Sequence, residues 1–175
     1  MAYVPAIGSR FLFDAEDLRA NSEGRLSAEQ ERGLDATVAV MRRREPRVMV
    51  MLVIVFAAVI ALVVAAIAST PGGDLTSGIV AGVILAWILG IIAFFRARGR
   101  RTREAMEARR LMVAEGPLSI ATDSTMAWHA TVGEARFGVE LYQSQVLTEG
   151  SWYRVYYLRI PDGALPLSLE PAGPE

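Results

Sequence analysis

The chain has 175 residues, 53% of them apolar, with neither cysteine nor lysine and a formal net charge of −1. That size accommodates a membrane hairpin and one small soluble domain but no larger assembly of domains. The missing cysteines exclude disulfides and thiolate chemistry.

The near-neutral total hides a segregation of charge. Residues 96–110 hold 7 arginines and 2 acids, whereas residues 111–175 hold 3 arginines and 8 acids. Basic residues beside a long apolar run read as an orientation signal and a contact for lipid headgroups. The acidic segment that follows them argues against a nucleic-acid partner.

Residues 1–26 read as a loosely structured arm in which Phe11–Arg19 forms a turn or two of helix before Asn21-Ser-Glu-Gly24 breaks it. Ser27, with Gln30 three residues on, makes a capping box for a helix over 28–44, with Leu34, Val38 and Met41 on one stripe. Glu45-Pro46 predicts its end, since a residue before proline is pushed out of the helical region. Residues 1–46 are thus expected to be a cytosolic arm and helix.

Two uncharged runs follow, Val48–Ala68 and Leu75–Phe95, within a hairpin spanning 47–95. Each is long enough to cross a hydrocarbon layer of about 30 Å as a helix. The first holds 13 Val, Ile, Leu or Phe side chains, which at the insertion scale amounts to roughly 4–8 kcal/mol in favour of the bilayer. The turn between them, Pro71-Gly-Gly-Asp74, carries one acid and no base. Arg42, Arg43, Arg44 and Arg47 precede the first run, and Arg96, Arg98, Arg100, Arg101 and Arg103 follow the second. By the positive-inside rule both termini are cytoplasmic, and the expected location is a bacterial plasma (inner) membrane. The alanine-, glycine- and arginine-rich composition fits such a source.

Small residues recur along the runs at helical spacing. Gly78, Gly82, Ala86 and Gly90 form one stripe, and Ala57, Ala61 and Ala65 form another. Such stripes let backbones approach closely. They serve either to pack the two helices of the hairpin together or to assemble a homo-oligomer.

The basic stretch continues as a juxtamembrane helix within 96–115, with Gly116-Pro117 as its stop. Period-two patterning then predicts a β domain over 116–175. Its expected strands are Leu118–Ala121, Thr125–Thr131, the alternation around Ala135–Leu141, Trp152–Arg159 and Ala164–Glu170, with a helical turn at Gln143–Leu147. Pro161-Asp-Gly163 supplies a hairpin turn. So small a sheet needs closure or a cover for its edges, which points to an SH3- or OB-like barrel. The fold class is therefore membrane α plus β: a two-helix transmembrane hairpin, an N-terminal cytosolic helix and a small C-terminal β-barrel-like domain.

No constellation of catalytic, cofactor-binding or metal-binding residues emerges. His129 is the only histidine and reads as an ordinary strand residue. Glu134, Glu140 and Glu149 fit a solvated strand face better than an acid/base pair. The spans carry polar residues only at their outer ends, unlike a proton or ion path. In the aromatic run 152–157, alternation puts Trp152, Arg154 and Tyr156 on one face and Tyr153, Val155 and Tyr157 on the other. The first set is a candidate interaction surface, since these residue types dominate binding hot spots; the other reading covers both faces inside the domain.

Two stretches carry a resemblance. Asn21-Ser-Glu-Gly-Arg-Leu-Ser-Ala-Glu-Gln30, and Gly150-Ser-Trp-Tyr-Arg-Val-Tyr-Tyr157 followed by Leu167-Ser-Leu-Glu-Pro171, resemble segments of a group of uncharacterised bacterial two-transmembrane-helix proteins with a small C-terminal β domain. The resemblance implies the architecture above and brings no activity with it.

The leading expectation is a membrane-anchored protein-interaction module without catalysis or cofactor, whose partners are membrane lipids and an unknown protein. The alternative is a homo-oligomeric membrane component, a small channel or scaffold assembled through the Gly/Ala stripe.

Overall fold

A computed structural model describes residues 4–69, 75–124 and 126–173, with backbone alone at 44–49, 51–53, 62–64, 66–69, 75–81 and 85. The predicted turn at Pro71–Asp74 lies outside the described residues. In chain order the elements are α1 (Pro5–Phe11), α2 (Ala15–Ser22), α3 (Ala28–Ser69), α4 (Leu75–Ala108), β1 (Leu111–Thr122), β2 (Trp128–Val132), β3 (Ala135–Val139), α5 (Leu141–Ser144), β4 (Trp152–Ile160) and β5 (Gly163–Pro171). The chain divides into two compact units, one made of residues 1–36 with 101–175 and the other of residues 37–100.

In the first unit the N-terminal arm is more ordered than its sequence suggests. Asp14 caps α2 by accepting from the Asp17 amide at 2.8 Å, while the Asp17 carboxylate accepts from the Asp14 amide at 3.0 Å. The predicted capping box at the start of α3 is present: the Ser27 hydroxyl accepts from the Gln30 amide and the Gln30 side chain accepts from the Ser27 amide, at 3.1 and 3.2 Å. Leu12 ends α1 at φ 58°, a left-handed conformation that glycine normally takes at this position. Arg109 reaches Glu31 at 3.2 Å and Asp35 at 2.6 Å, tying the first turns of α3 to the junction between α4 and β1.

The sheet is antiparallel and five-stranded, in the order β3-β2-β1-β4-β5. It is open by hydrogen bonding, where the sequence suggests a barrel. Its end strands still come together: β3 lies beside β5, and Gly163, at φ 136°, sits so close to the Arg136 carbonyl that no Cβ fits there. Long β1 changes partner along its length. Leu111–Pro117 pairs with β4 and Leu118–Thr122 with β2. Pro117 falls at the change-over, where its missing amide donor interrupts neither ladder.

This overturns two boundaries read from the sequence. The helix ends at Ala108, so Leu111–Ala114 is strand, and Gly116-Pro117 lies inside β1 instead of stopping a helix. Cross-strand pairing to β4 outweighs the local helical pattern. Likewise α3 runs straight through Glu45-Pro46. An internal proline costs a helix about 3 kcal/mol, which neighbouring turns absorb when the helix is long on both sides.

Most of the core lies between the sheet and the N-terminal helices. Ile7, Phe13 and Leu18 join Leu118, Val132, Phe137, Val155, Tyr156, Tyr157 and Leu169 in one cluster, and α1 and α2 both lie against β5. The second unit presents the opposite picture. Among its described side chains Val50, Ile54, Val55, Val83, Ile84, Trp87, Leu89, Phe94 and Phe95 are all exposed. Among the described residues one helical segment, Gly82–Ala108, is long and apolar enough to cross a membrane, and none of its apolar window is covered.

Candidate functional site

Strand β4 and its neighbours carry a long-range set of polar contacts. Alternation along β4 is lost because both of its faces are covered: Tyr153, Val155, Tyr156, Tyr157 and Leu158 are all buried. A register shift against β5, where Tyr156 pairs with Ser168 and Tyr157 with Pro166, helps turn successive rings inward. Each buried tyrosine keeps a partner for its hydroxyl, as buried phenols must. Tyr153 Oη accepts from the Thr148 amide at 3.0 Å. Tyr156 donates to Glu170 Oε1 and Tyr157 to Glu134 Oε1, each at 3.2 Å.

The predicted surface of Trp152, Arg154 and Tyr156 is therefore split. Tyr156 is only 3% exposed and belongs to the core. Arg154 is half-buried and engaged by Glu115 at 2.8 Å and Glu170 at 3.7 Å. Trp152, 38% exposed, is the member that faces solvent. Helix α2 lies against β5, a docking that the sequence does not announce.

That docking forms a buried polar seam. Asp17, Asn21, Ser27, Ser168 and Glu170 are all buried. Asn21 Nδ2 donates to Ser168 Oγ at 2.6 Å, and Gln30 Nε2 donates to the Leu167 carbonyl at 3.2 Å. The Ser27 hydroxyl donates to the Asp17 carboxylate in a short contact. Residues 137 or more positions apart are thus joined, and they come from the two stretches that carry the resemblance noted above. Two oxygens in the seam, Asn21 Oδ1 and Glu170 Oε2, have no hydrogen-bond partner among the described residues. An unsatisfied buried acceptor costs about 1–3 kcal/mol, so apolar packing by Ile7, Phe13 and Leu18 must outweigh the seam's polar deficit.

The electrostatics follow from this burial. Burial, with the Glu170 carboxylate beside it, holds the Tyr156 phenol above its ordinary pKa, and burial with Glu134 does the same for Tyr157. The hydrogen bond to Glu115 is the main cause that raises Arg154. Arg109 is raised chiefly by its hydrogen bond to Asp35. Each group is thereby held in its usual protonation state at neutral pH. Glu170, 2% exposed, is closed off from any substrate in this conformation.

Comparison of the chain with protein-family models, curated proteins and solved structures gives no match. The site has to be read from its own geometry. His129 Nε2 lies 3.0 Å from Asp123 Oδ2 at the β1–β2 hairpin. Among the described residues no group of three His, Asp or Glu side chains is placed to hold a metal ion.

On the helices, Gly82, Ala86 and Gly90 are exposed, as are Ala57, Ala61 and Ala65. A Cβ at Gly82 or Gly90 would meet nothing among the described residues within 4 Å. Gly78 is described by its backbone alone. Arg42, Arg43, Arg96, Arg98, Arg100 and Arg101 are exposed, whereas Arg103 is half-buried and lies 3.8 Å from Glu107. The side chains of Arg44 and Arg47 lie outside the described residues.

Sequence reasoning missed Glu115, Asp17 and Glu170 as participants. The one available signal was the pair Ser168 and Glu170, which alternate with Leu167 and Leu169 on β5 and for which a solvated face was the simpler expectation.

Proposed function

We propose that the chain is an integral membrane protein that holds a small cytoplasmic module at the bilayer as an adapter, with no catalysis of its own. One observation carries the reading: a 27-residue segment, Gly82–Ala108, is long and apolar enough to span and is bare along its apolar window, in the same chain as a well-covered β unit. Trp87, 69% exposed, and the flanking Val83, Phe94 and Phe95 present large apolar side chains on one helix, costly in water and of the kind that marks a membrane or protein contact. A hydrocarbon solvent removes that penalty. In this reading Val48–Ala68 and Leu75–Phe95 form a transmembrane hairpin, and the arginines at its ends keep both termini in the cytoplasm of a bacterial cell.

The test uses the absence of cysteine. Asp74→Cys should react with a membrane-impermeant thiol reagent applied to intact cells, and Ser119→Cys, exposed on β1, should react only after lysis. Reaction of Ser119→Cys in intact cells overturns the orientation; extraction of the chain by alkaline carbonate overturns membrane integration. Gentle crosslinking should then capture a second protein in stoichiometric amount.

A second reading, a homo-oligomer that serves as a channel or scaffold, is favoured by the open space at Gly82 and Gly90. These glycines pack against nothing described in their own chain. Gly82→Leu should dissolve an oligomer seen in mild detergent; an unchanged particle mass removes this reading.

A further inference from the structure

Helix α4 carries its apolar and cationic stretches on one unbroken rod, Leu75–Ala108. Phe94 and Phe95 are exposed, with ring centroids 5.7 Å apart in edge-to-face geometry. Arg96, Arg98 and Arg100 follow at once, and all three are exposed. At 3.6 residues per turn Arg96 and Arg100 lie about 40° apart around the rod, and Arg98 lies about 160° from each. Guanidinium groups therefore flank both sides of the helix instead of forming one stripe. From Arg96 to Arg100 the rod rises about 6 Å, close to the depth of one headgroup layer, which is roughly 5–7 Å.

An orientation signal needs only positive charge, and lysine serves it as well as arginine. A guanidinium does more, since its planar fork matches phosphate oxygens bidentately. The exposed rings of Phe94 and Phe95 just before the arginines call for an acyl layer beside the phosphates, which a nucleic acid does not offer.

We propose that Arg96, Arg98 and Arg100 form a girdle that binds the phosphates of anionic phospholipids on both sides of α4, so that the protein gathers its own anionic lipid shell. This rests on the membrane-anchored reading and adds a lipid selectivity to it.

The test uses the full chain with Trp128→Phe and Trp152→Phe, leaving Trp87 as the sole fluorophore on α4. It is reconstituted in vesicles containing either phosphatidylglycerol or phosphatidylcholine with brominated acyl chains, which quench tryptophan on contact. At about 1 kcal/mol per arginine near anionic lipid, one engaged arginine gives roughly five-fold preferential association. Brominated phosphatidylglycerol should therefore associate at least about five-fold better than brominated phosphatidylcholine. The joint variant Arg96→Gln, Arg98→Gln, Arg100→Gln should lower the ratio at least several-fold, leaving what Arg101 and the arginines before the first run contribute, and glutamine keeps the helix intact. The corresponding lysine variant should lower the ratio, and combined with Asp74→Cys it should leave labelling in intact cells unchanged.

Equal quenching by both lipids, or a ratio untouched by the glutamine variant, overturns the girdle while bilayer placement stands. A lysine variant with the full ratio overturns the guanidinium fork and leaves charge alone. No quenching by either lipid overturns the membrane reading as well. A labelled DNA duplex bound by the detergent-solubilised chain and lost in the glutamine variant, with no lipid enrichment, would assign the arginines to nucleic acid and overturn the proposal.

Discussion

The two units of this chain dispose of their apolar side chains in opposite ways. In the unit of residues 1–36 and 101–175, valine, leucine and tyrosine are covered on both faces of β4, and even the polar Asn21, Ser168 and Glu170 are drawn inside. In the unit of residues 37–100, Val50, Ile54, Val55, Val83, Ile84, Trp87, Phe94 and Phe95 are exposed, while Val38 is buried and Phe56, Val59, Ile88 and Ile92 are half-buried. The hydrophobic effect is the same in both. What differs is the neighbour it selects: protein for the first, and for the second, in the function proposed above, the hydrocarbon of a bilayer. A polar group can be afforded inside the first unit because partners lie within reach; at the depth of a bilayer it would find none.

The sharpest way to break this comparison is at Tyr156. As a core residue, Tyr156→Ala should cost about 3–5 kcal/mol in denaturant unfolding of the β unit, whereas exposed Trp152→Ala should cost about 1 kcal/mol. Equal small losses would put Tyr156 back on the surface. Leu18, in the stretch that reads as a loose arm, is almost fully buried. Leu18→Ala should therefore cost about 3 kcal/mol, and a loss below about 0.5 kcal/mol would detach α2 from the core.

Alkaline pH probes the buried hydroxyls. Tyr156 and Tyr157 hold pKa values above the ordinary tyrosine value in the folded state, which is about 10. The folded state thus keeps protons that the unfolded state releases. Their contribution to stability is full below about pH 10 and is lost as pH rises through the folded values. Phenolate absorbance should appear together with unfolding there, and Tyr156→Phe should weaken the pH dependence. Phenolate forming before unfolding would place these hydroxyls in water.

The smallest effect is local. Leu12, 90% exposed and left-handed at φ 58°, bears backbone strain of about 1–2 kcal/mol. Leu12→Gly should raise the unfolding midpoint by an amount equivalent to about 0.5–1 kcal/mol, after allowing for the entropy glycine adds to the unfolded chain. A lower midpoint would mean that the leucine makes contacts its exposure does not show.

Strand positions in the C-terminal half were legible because alternation and turn residues are local signals. Ala135–Val139, Trp152–Ile160 and Gly163–Pro171 stand within two residues of where patterning puts them. The Ser27–Gln30 capping box was legible for the same reason. Pro46 and Gly116-Pro117 misled because a breaker sets only a local preference. A long helix overrides the first, and pairing of β1 with β4 overrides the second. The candidate site was legible in its parts but not in its arrangement, since nothing near Tyr156 in sequence says that Ile7, Phe13 and Leu18 will share its core.

By itself, then, the sequence determined where apolar runs, caps, turns and charge clusters fall, because each depends on residues within a few positions of one another. Only the tertiary structure decided that the N-terminal helices belong to the β unit and that Asn21 meets Ser168 across 147 positions. It also decided that Tyr156 faces inward and that β1 serves two partners. Those outcomes rest on which surfaces exclude water from each other, and a one-dimensional pattern names the surfaces without naming the pairs.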